Sequence, residues 1–395
     1  MNLRVSRRTY FSTPCFCILS VLCAVLIGCM RPPVPPKQLV EGSVSADRPS
    51  RQTVAARVTE RLATGEISAG VRNLLVNGKT FRAAVVDIPL GSVEIKVGLA
   101  QRRVGCTEQL ADIARRYRAV AAINGCFFDA YSDCRIRNPH HTLLTDAELV
   151  HRGEVGSTLG FAPGCRPRIA RLTVKIVGSL DGSEGWPDNW YAYWVNRYPE
   201  GETTATIFTR HWAESTTPGG GAQIVVRHGM VADVCRGSTL IPADGFVLYL
   251  RGREEYMAER FRVGRRCSYR VSLQSETDAD FWPEVSEALG CGPALVRAGH
   301  VTVNPEAEGF RHPKILTLAC ARSAVGVTSD GRLLLVTCGA ATISELAELM
   351  RSLGCEAAMN LDGGASSGLW LRGKYLATPG RPISNALLVL ERRRG

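Results

Sequence analysis

Residues Ala324 to Thr328 and Leu333 to Thr337 are two apolar runs separated by a turn that contains Asp330-Gly331. Asp and Gly tolerate the positive φ that a tight reversal needs, so this stretch reads as a β-hairpin. Short apolar runs of strand length recur at Phe81 to Ile88, Val93 to Leu99, Thr173 to Val177, Gln223 to Val226, Phe246 to Leu250 and Tyr269 to Leu273. Only two stretches carry helical periodicity. Thr342-Ile-Ser-Glu345 has the form of a capping box, followed by Ile343, Leu346, Ala347, Met350 and Leu353 on one face and Gly354 at the end. The other runs from about Thr107 to Arg118, with Leu110, Ile113, Ala114 and Tyr117 on one side. Residues 178–221 hold Gly, Pro, Trp and Tyr without clear periodicity and read as an insertion or long surface loop. The expected fold is α+β: a mixed, strand-rich sheet with a few flanking helices in a single large domain.

Each helical stretch leads into a short apolar segment that ends in Asn and a glycine turn. One reads Ala121-Ala-Ile-Asn124-Gly125, the other Ala357-Ala-Met-Asn360-Leu-Asp362-Gly363. Ligands tend to sit beyond the carboxyl ends of strands, so the two loops are expected to meet at a site. Two ordinary helix–strand units would look the same.

The N-terminus reads as an export leader over residues 1–28. Arg4, Arg7 and Arg8 precede an apolar stretch from about Phe16 to Ile27, too short for a comfortable membrane span. It ends Leu26-Ile27-Gly28-Cys29, which resembles a bacterial lipobox, so Cys29 is expected to be lipidated and to anchor the chain to a membrane. Met30 stands where Asp would favour inner-membrane retention, which points towards the outer membrane. Residues 29–52 contain Arg31-Pro-Pro-Val-Pro-Pro36 and read as an extended tether, leaving 53–395 as the folded domain. The expected location is the cell envelope, facing periplasm or exterior.

The formal charge is +11, and +8 without the three leader arginines. No basic block is interleaved with aromatics, which argues against nucleic acid. The spread charge suits an anionic partner or a solvated basic surface. Of fourteen cysteines, ten lie beyond Cys29. An even number in an exported chain suggests disulfides.

The chemistry-bearing residues fall in five short segments. Asn360-Leu-Asp362-Gly-Gly364-Ala-Ser-Ser367 places a carboxylate, two glycines and two hydroxyls at the end of an apolar strand. Glycine amides approach ligands closely and can cradle an anion, although a polar turn has the same wording. Asn124-Gly-Cys-Phe-Phe-Asp129 puts two polar side chains around two aromatics, which are either a sugar platform or core. Arg322, in Cys320-Ala-Arg322-Ser323, and Arg381, in Arg381-Pro-Ile-Ser-Asn385, each stand at the entry to an apolar strand. Guanidinium matches phosphate in a bidentate fork, while a solvated strand-edge charge is the plainer explanation. Gly292-Pro293 opens a further turn and strand.

Taken in order, these segments resemble the phosphodiester glycosidase family, from about residue 80 to 392 and most densely from Cys291 onward. The resemblance implies a mixed α/β fold and hydrolysis of a sugar-1-phosphate diester. Asn124, Arg322, Asp362, Gly363, Gly364, Ser366, Arg381 and Asn385 match shared positions of the family. The chain departs from it at Cys126, Ser323 and Ala365, where glycine, threonine and glycine are usual. Cys126 puts the first loop's shape in question, unless it is tied to Cys134.

On this resemblance Arg322 and Arg381 are expected to clamp the departing phosphate, assisted by the Gly363-Gly364 amides and Ser366. Asp362 is expected to act as base, nucleophile or charge stabiliser, with Asp129 as a second carboxylate. Asn124 and Asn385 would bind sugar hydroxyls or hold the loops. No cofactor is required, though Asp362 could instead hold a structural calcium. The expected partner is a phosphorylated glycan on the envelope or outside it. The alternatives are a non-catalytic glycan-binding or polysaccharide-export lipoprotein, and a structural envelope protein.

Overall fold

The hairpin is present. In this computed structural model, which describes residues 65–131, 135–164, 166–216 and 219–392, Cys320–Thr328 pairs antiparallel with Arg332–Ala341. Gly331 turns between them at φ 81°. The leader, Cys29 and the tether lie outside the described residues, as do Cys134 and Cys165.

The hairpin is the middle of a seven-stranded sheet. On one side it pairs with Lys79–Pro89, which pairs with Ser68–Val76. On the other it pairs with Cys355–Asn360, then Ala294–Arg297 and His300–Val301. A five-stranded sheet is ordered Lys374–Ala377, Leu369–Leu371, Ala121–Asn124, Asn385–Glu391 and Val93–Leu99. The two sheets share one core, with Val325, Leu335 and Met359 from the first and Ile95, Ile123 and Leu387 from the second. A third sheet built on Glu287–Cys291 adds Leu143, Leu159 and Leu289 to it.

The helices cover the outer faces. Helix α1 (Leu110–Arg116) packs Leu110 and Ile113 against Ala122 and Leu388 of the five-stranded sheet. Helix α2 (Pro313–Leu316) is a single turn. Helix α3 (Ile343–Ser352) carries the expected capping box: Glu345 N donates to Thr342 Oγ1 at 3.2 Å, and Thr342 N to Glu345 Oε2 at 2.8 Å. Its apolar face, Ile343, Leu346, Ala347 and Met350, lies on the outer side of the large sheet with Ala324, Val336 and Ala358.

The expected α+β class is corrected by these elements. The described residues are 47% strand and 13% helix, in five sheets that are antiparallel except where Trp194–Val195 joins Thr204–Phe208, and they form a mostly β fold. Residues 178–221 likewise depart from the loop expected of them. They contribute Asn189–Tyr191, Trp194–Val195 and Thr204–Phe208 to two sheets that fill the segment 173–274 around a separate core containing Trp190, Ile207, Ile224 and Leu248. Thr204–Phe208 is buried at every position, so it has no polar–apolar alternation to betray a strand. Disulfides are not seen either. Among the described residues the eight cysteines beyond Cys29 are all free thiols.

Candidate active site

The carboxyl ends of Ala121–Asn124 and Cys355–Asn360 belong to different sheets, yet their loops are bonded to each other. Asp362 N donates to Gly125 O at 3.0 Å, and Asn124 Nδ2 donates to Asp362 O at 2.7 Å. The Asn124 Oδ1 accepts from Ser323 Oγ at 2.7 Å and from Gly368 N at 3.0 Å. Asn124 is wholly buried, so its amide is a three-way clip between loops rather than a free sugar ligand. The hydroxyl that Ser323 shares with the family's usual threonine is the one that Asn124 uses.

Asn385 does the same for the first loop. Its Oδ1 accepts from Cys126 N at 2.9 Å, and its Nδ2 donates to Cys126 Sγ at 3.3 Å. A Cβ on Gly125 would lie 1.9 Å from Asn385 Oδ1, so glycine is required there by close approach. Cys126 does not have a left-handed backbone, and its side chain is buried against Asn385. The loop therefore accepts cysteine in place of glycine without strain.

Asp362 begins the second loop. Its Oδ1 accepts from Gly363 N at 2.8 Å, and its Oδ2 lies 3.7 Å from Arg381 Nη2. Burial pushes the carboxyl up to about 6, against opposing effects of Ser366, Arg381, the Gly363 amide and Lys314. A Cβ on Gly363 would meet Ala321 O at 2.8 Å, and Gly364 has φ 62°, so both glycines are demanded by the turn. Ser366 closes it, and its hydroxyl accepts from Arg381 Nε at 2.8 Å.

The two arginines have different fates. Arg381 lies over Phe128 and Tyr131, 5.3 and 5.1 Å from the ring centroids, and its Nη1 is buried without a hydrogen-bond partner. Arg322 is only 1% exposed. Its Nε donates to Ala341 O at 2.8 Å, and its Nη2 donates to Lys314 O and Leu318 O, both at 2.7 Å. Two of its three nitrogens thus pin α2 to the large sheet. The two arginines are thus not an equivalent pair: Arg322 commits Nε and Nη2 to backbone carbonyls, while Arg381 keeps its Nη1 unpaired beside Asp362.

Asp129 stands at the rim, with Oδ1 3.6 Å from His140 Nε2. Phe127 is packed with His141 and Phe310, and Phe128 is buried under Arg381. The exposed aromatic here is Tyr131, 79% exposed, with Lys314 Nζ 5.9 Å from its ring. Lys314 also acts electrostatically on Asp362. Neither Tyr131 nor Lys314 was legible as a site residue, because each stands alone in a loop or a single helical turn and reaches the site only through the fold. A cleft of about 340 Å³ on the other flank of the glycine turn is lined by Ala321, Cys338, Gly364, Ser367 and Thr378.

A calcium ion fits these residues poorly. Among the described residues no three of His, Cys, Asp and Glu are grouped as metal ligands, and one oxygen of Asp362 faces a guanidinium.

Residues 220–390 match the family model described as phosphodiester glycosidase. Over these residues the chain is similar to that family. That family is a family of hydrolases. Arg322, Asp362, Arg381 and Asn385 fall inside the match, while Asn124 and Asp129 precede it. The hydrogen bonds of Asn124 to Asp362 and Ser323 join these parts, so the family's site segment is completed by strands earlier in the chain.

Among solved structures, a protein of Synechocystis is 24% identical with a TM-score of 0.71, covering 82% of this chain and 62% of that one. This chain thus spans less than two thirds of that protein. An exported protein of Burkholderia pseudomallei is 20% identical with a TM-score of 0.65, covering 79% and 74%. The catalytic domain of zebrafish N-acetylglucosamine-1-phosphodiester α-N-acetylglucosaminidase is 15% identical with a TM-score of 0.45, covering 84% and 85%. The similarities to the first two concern the fold. No curated protein gives a significant match.

Proposed function

We propose that this chain hydrolyses a sugar-1-phosphate diester in a glycan of the cell envelope, using Asp362 and Arg381. The observation that carries the reading is the buried Asp362 carboxyl facing an arginine whose Nη1 has no partner. In the reaction the bond between the anomeric carbon and the phosphate oxygen breaks, and the phosphate keeps the electron pair. A phosphate leaves readily, so stabilising its charge matters more than protonating it. Arg381 Nη1 supplies that stabilisation, and Lys314 adds a second cation near Asp362. Ser366 holds Arg381 in position, and the Gly363-Gly364 turn lets substrate approach closely.

Ionised Asp362 supports the developing positive charge on the sugar. It then either takes a proton from an attacking water or bonds the anomeric carbon itself. The anomeric configuration of the released sugar separates these two routes. Asp129 stands at the rim as a second carboxylate. Asn124 and Asn385 act by holding the loops. No metal is assigned a role in this reaction.

The envelope setting rests on the resemblance of Leu26-Ile27-Gly28-Cys29 to a lipobox and of the residues before it to an export leader. The lipid would tether the domain to a membrane, with the outer membrane preferred, facing periplasm or exterior. Incubation of the purified protein with a chromogenic sugar 1-phosphodiester tests the activity. Release of free sugar that is lost in Asp362→Asn supports the reading; absence of release by a folded parent protein refutes it.

A further inference from the structure

The segment 173–274 has its own core and its own outer face, and that face carries large exposed aromatics. Trp186 is 76% exposed, Tyr256 52% and Tyr193 38%. Scattered exposed aromatics are ordinary, but these are joined. Arg260 lies over Trp186 at 4.3 Å and over Tyr256 at 5.2 Å. Its Nη1 donates to Asn189 O at 2.6 Å, so the cation that orients both rings is itself fixed. The next ring is Tyr191, whose hydroxyl interacts with Tyr256. Tyr191 and Tyr193 have centroids 5.5 Å apart, and both hydroxyls donate to the buried Glu254, at 2.7 and 2.8 Å. Arg152 then donates to Tyr193 O at 2.6 Å and lies 5.8 Å from the Trp194 ring, on which Arg197 also stacks at 3.9 Å.

This row has a direction. Beyond Trp194, Tyr198 N donates to Asn138 Oδ1 at 3.1 Å, and Asn138 O accepts from Asp129 N at 2.9 Å. Asp129 is the rim carboxylate of the candidate active site, and Tyr131 follows it in the same loop. At the far end, Trp186 and Tyr256 border a cleft of about 480 Å³ that also presents Asp188, Glu259, Arg262 and Arg265.

We propose that the outer face of segment 173–274 is a binding track for a glycan chain, running from Trp186 to the Asp129 rim of the site. A sugar ring offers an apolar C–H face and a girdle of hydroxyls. Flat aromatic faces suit the first, and fixed guanidinium and carboxylate groups suit the second. Arg260 and Glu254 hold the rings in place before binding, which lowers the ordering cost a ligand must meet. A row of rings, rather than one, suits a ligand of several sugar units, and the arginines along it suit phosphates between those units. The track rests on the reading that the substrate is a phosphodiester glycan, because it supplies the polymer that the site would cut.

Affinity electrophoresis of the full-length protein tests the binding, in gels containing poly(N-acetylglucosaminyl 1-phosphate) or neutral dextran. The parent should be retarded by the phosphopolymer, and Trp186→Ala, Tyr256→Ala and their double variant should run faster, with Trp186→Phe restoring much of the retardation. An unchanged thermal midpoint shows that the exposed substitutions have not unfolded the segment. In the hydrolysis assay, KM for the polymer should rise about tenfold in the double variant. Its kcat on a small chromogenic diester should stay unchanged. A parent not retarded by the phosphopolymer, or a double variant retarded as strongly as the parent, overturns the track. A parent inactive on the small diester but retarded through Trp186 overturns the hydrolase reading and leaves the track standing.

Discussion

Arg381 Nη2 lies 3.7 Å from Asp362 Oδ2, while Arg381 Nε is held on Ser366 at 2.8 Å. The serine fixes the cation beside the carboxyl. Burial nevertheless prevails, and Asp362 sits at about 6 rather than in the ordinary carboxylate range. The ionised form is the working one in the proposed reaction, so the rate should rise with pH through about 6 and level off above it. Arg381 opposes the burial effect, so Arg381→Gln should shift that rise to higher pH and lower kcat by about 100-fold. The pH dependence of kcat measures both. An unmoved acid limb would uncouple the two residues.

Asp362→Asn should separate catalysis from stability. A carboxyl raised in the folded state favours folding while protonated. That contribution is present at low pH and is lost as pH rises towards about 6. Above it, the folded protein carries the cost of a buried charge that the neutral amide avoids. Asp362→Asn should therefore abolish turnover while leaving the protein as stable at pH 8, or more stable by about 1–2 kcal/mol. Thermal unfolding at pH 8 beside an activity assay checks this. A loss of stability, mimicked by chelator in the parent, would return Asp362 to the calcium reading.

Arg322→Lys should act on folding. Lysine cannot reproduce the fork that reaches Ala341 O, Lys314 O and Leu318 O together. Carbonyls left unpaired in a buried setting cost about 1–3 kcal/mol each. The melting temperature should fall by several degrees, with the activity of the folded fraction mostly kept. A large drop in kcat at full stability would instead place Arg322 on the substrate.

The cysteines give a chemical count. With eight described thiols unpaired, denatured and unreduced protein should titrate at least eight free thiols. Native protein should react slowly, because burial pushes Cys126, Cys267, Cys338 and Cys355 up to about 12 and the thiolate is the reactive form. Fewer than eight thiols after denaturation would show bonds that form in the envelope.

Cys29 governs attachment in the proposed setting. Cys29→Ser should leave an unprocessed precursor or release the protein from membranes, read by fractionation. Normal processing with full membrane retention in Cys29→Ser would remove the lipid anchor from the account.

Local chemistry was enough for some of this protein. The Asp330-Gly331 reversal, the capped helix from Thr342 and the Asp362-Gly363-Gly364 turn are each set by neighbours a few residues apart, and each is found where its wording places it. The meeting of the Asn124 and Asp362 loops was also foreseeable, from two similar segments ending in Asn. Three matters were decided only by tertiary structure. The mostly β class depends on pairings such as Leu369–Leu371 with Ala121–Asn124, which no local period encodes. The strand Thr204–Phe208 is covered on both faces, so its burial erased the alternation that would mark it. Arg322 and Arg381 read alike in sequence, each an arginine before apolar residues. What separates them is the set of groups brought to their guanidiniums. For Arg322 these are carbonyls of α2, the loop after it and a neighbouring strand. For Arg381 they are a serine, a carboxylate and two aromatic rings. A side chain's role depends on partners distant along the chain, and only the folded packing supplies them.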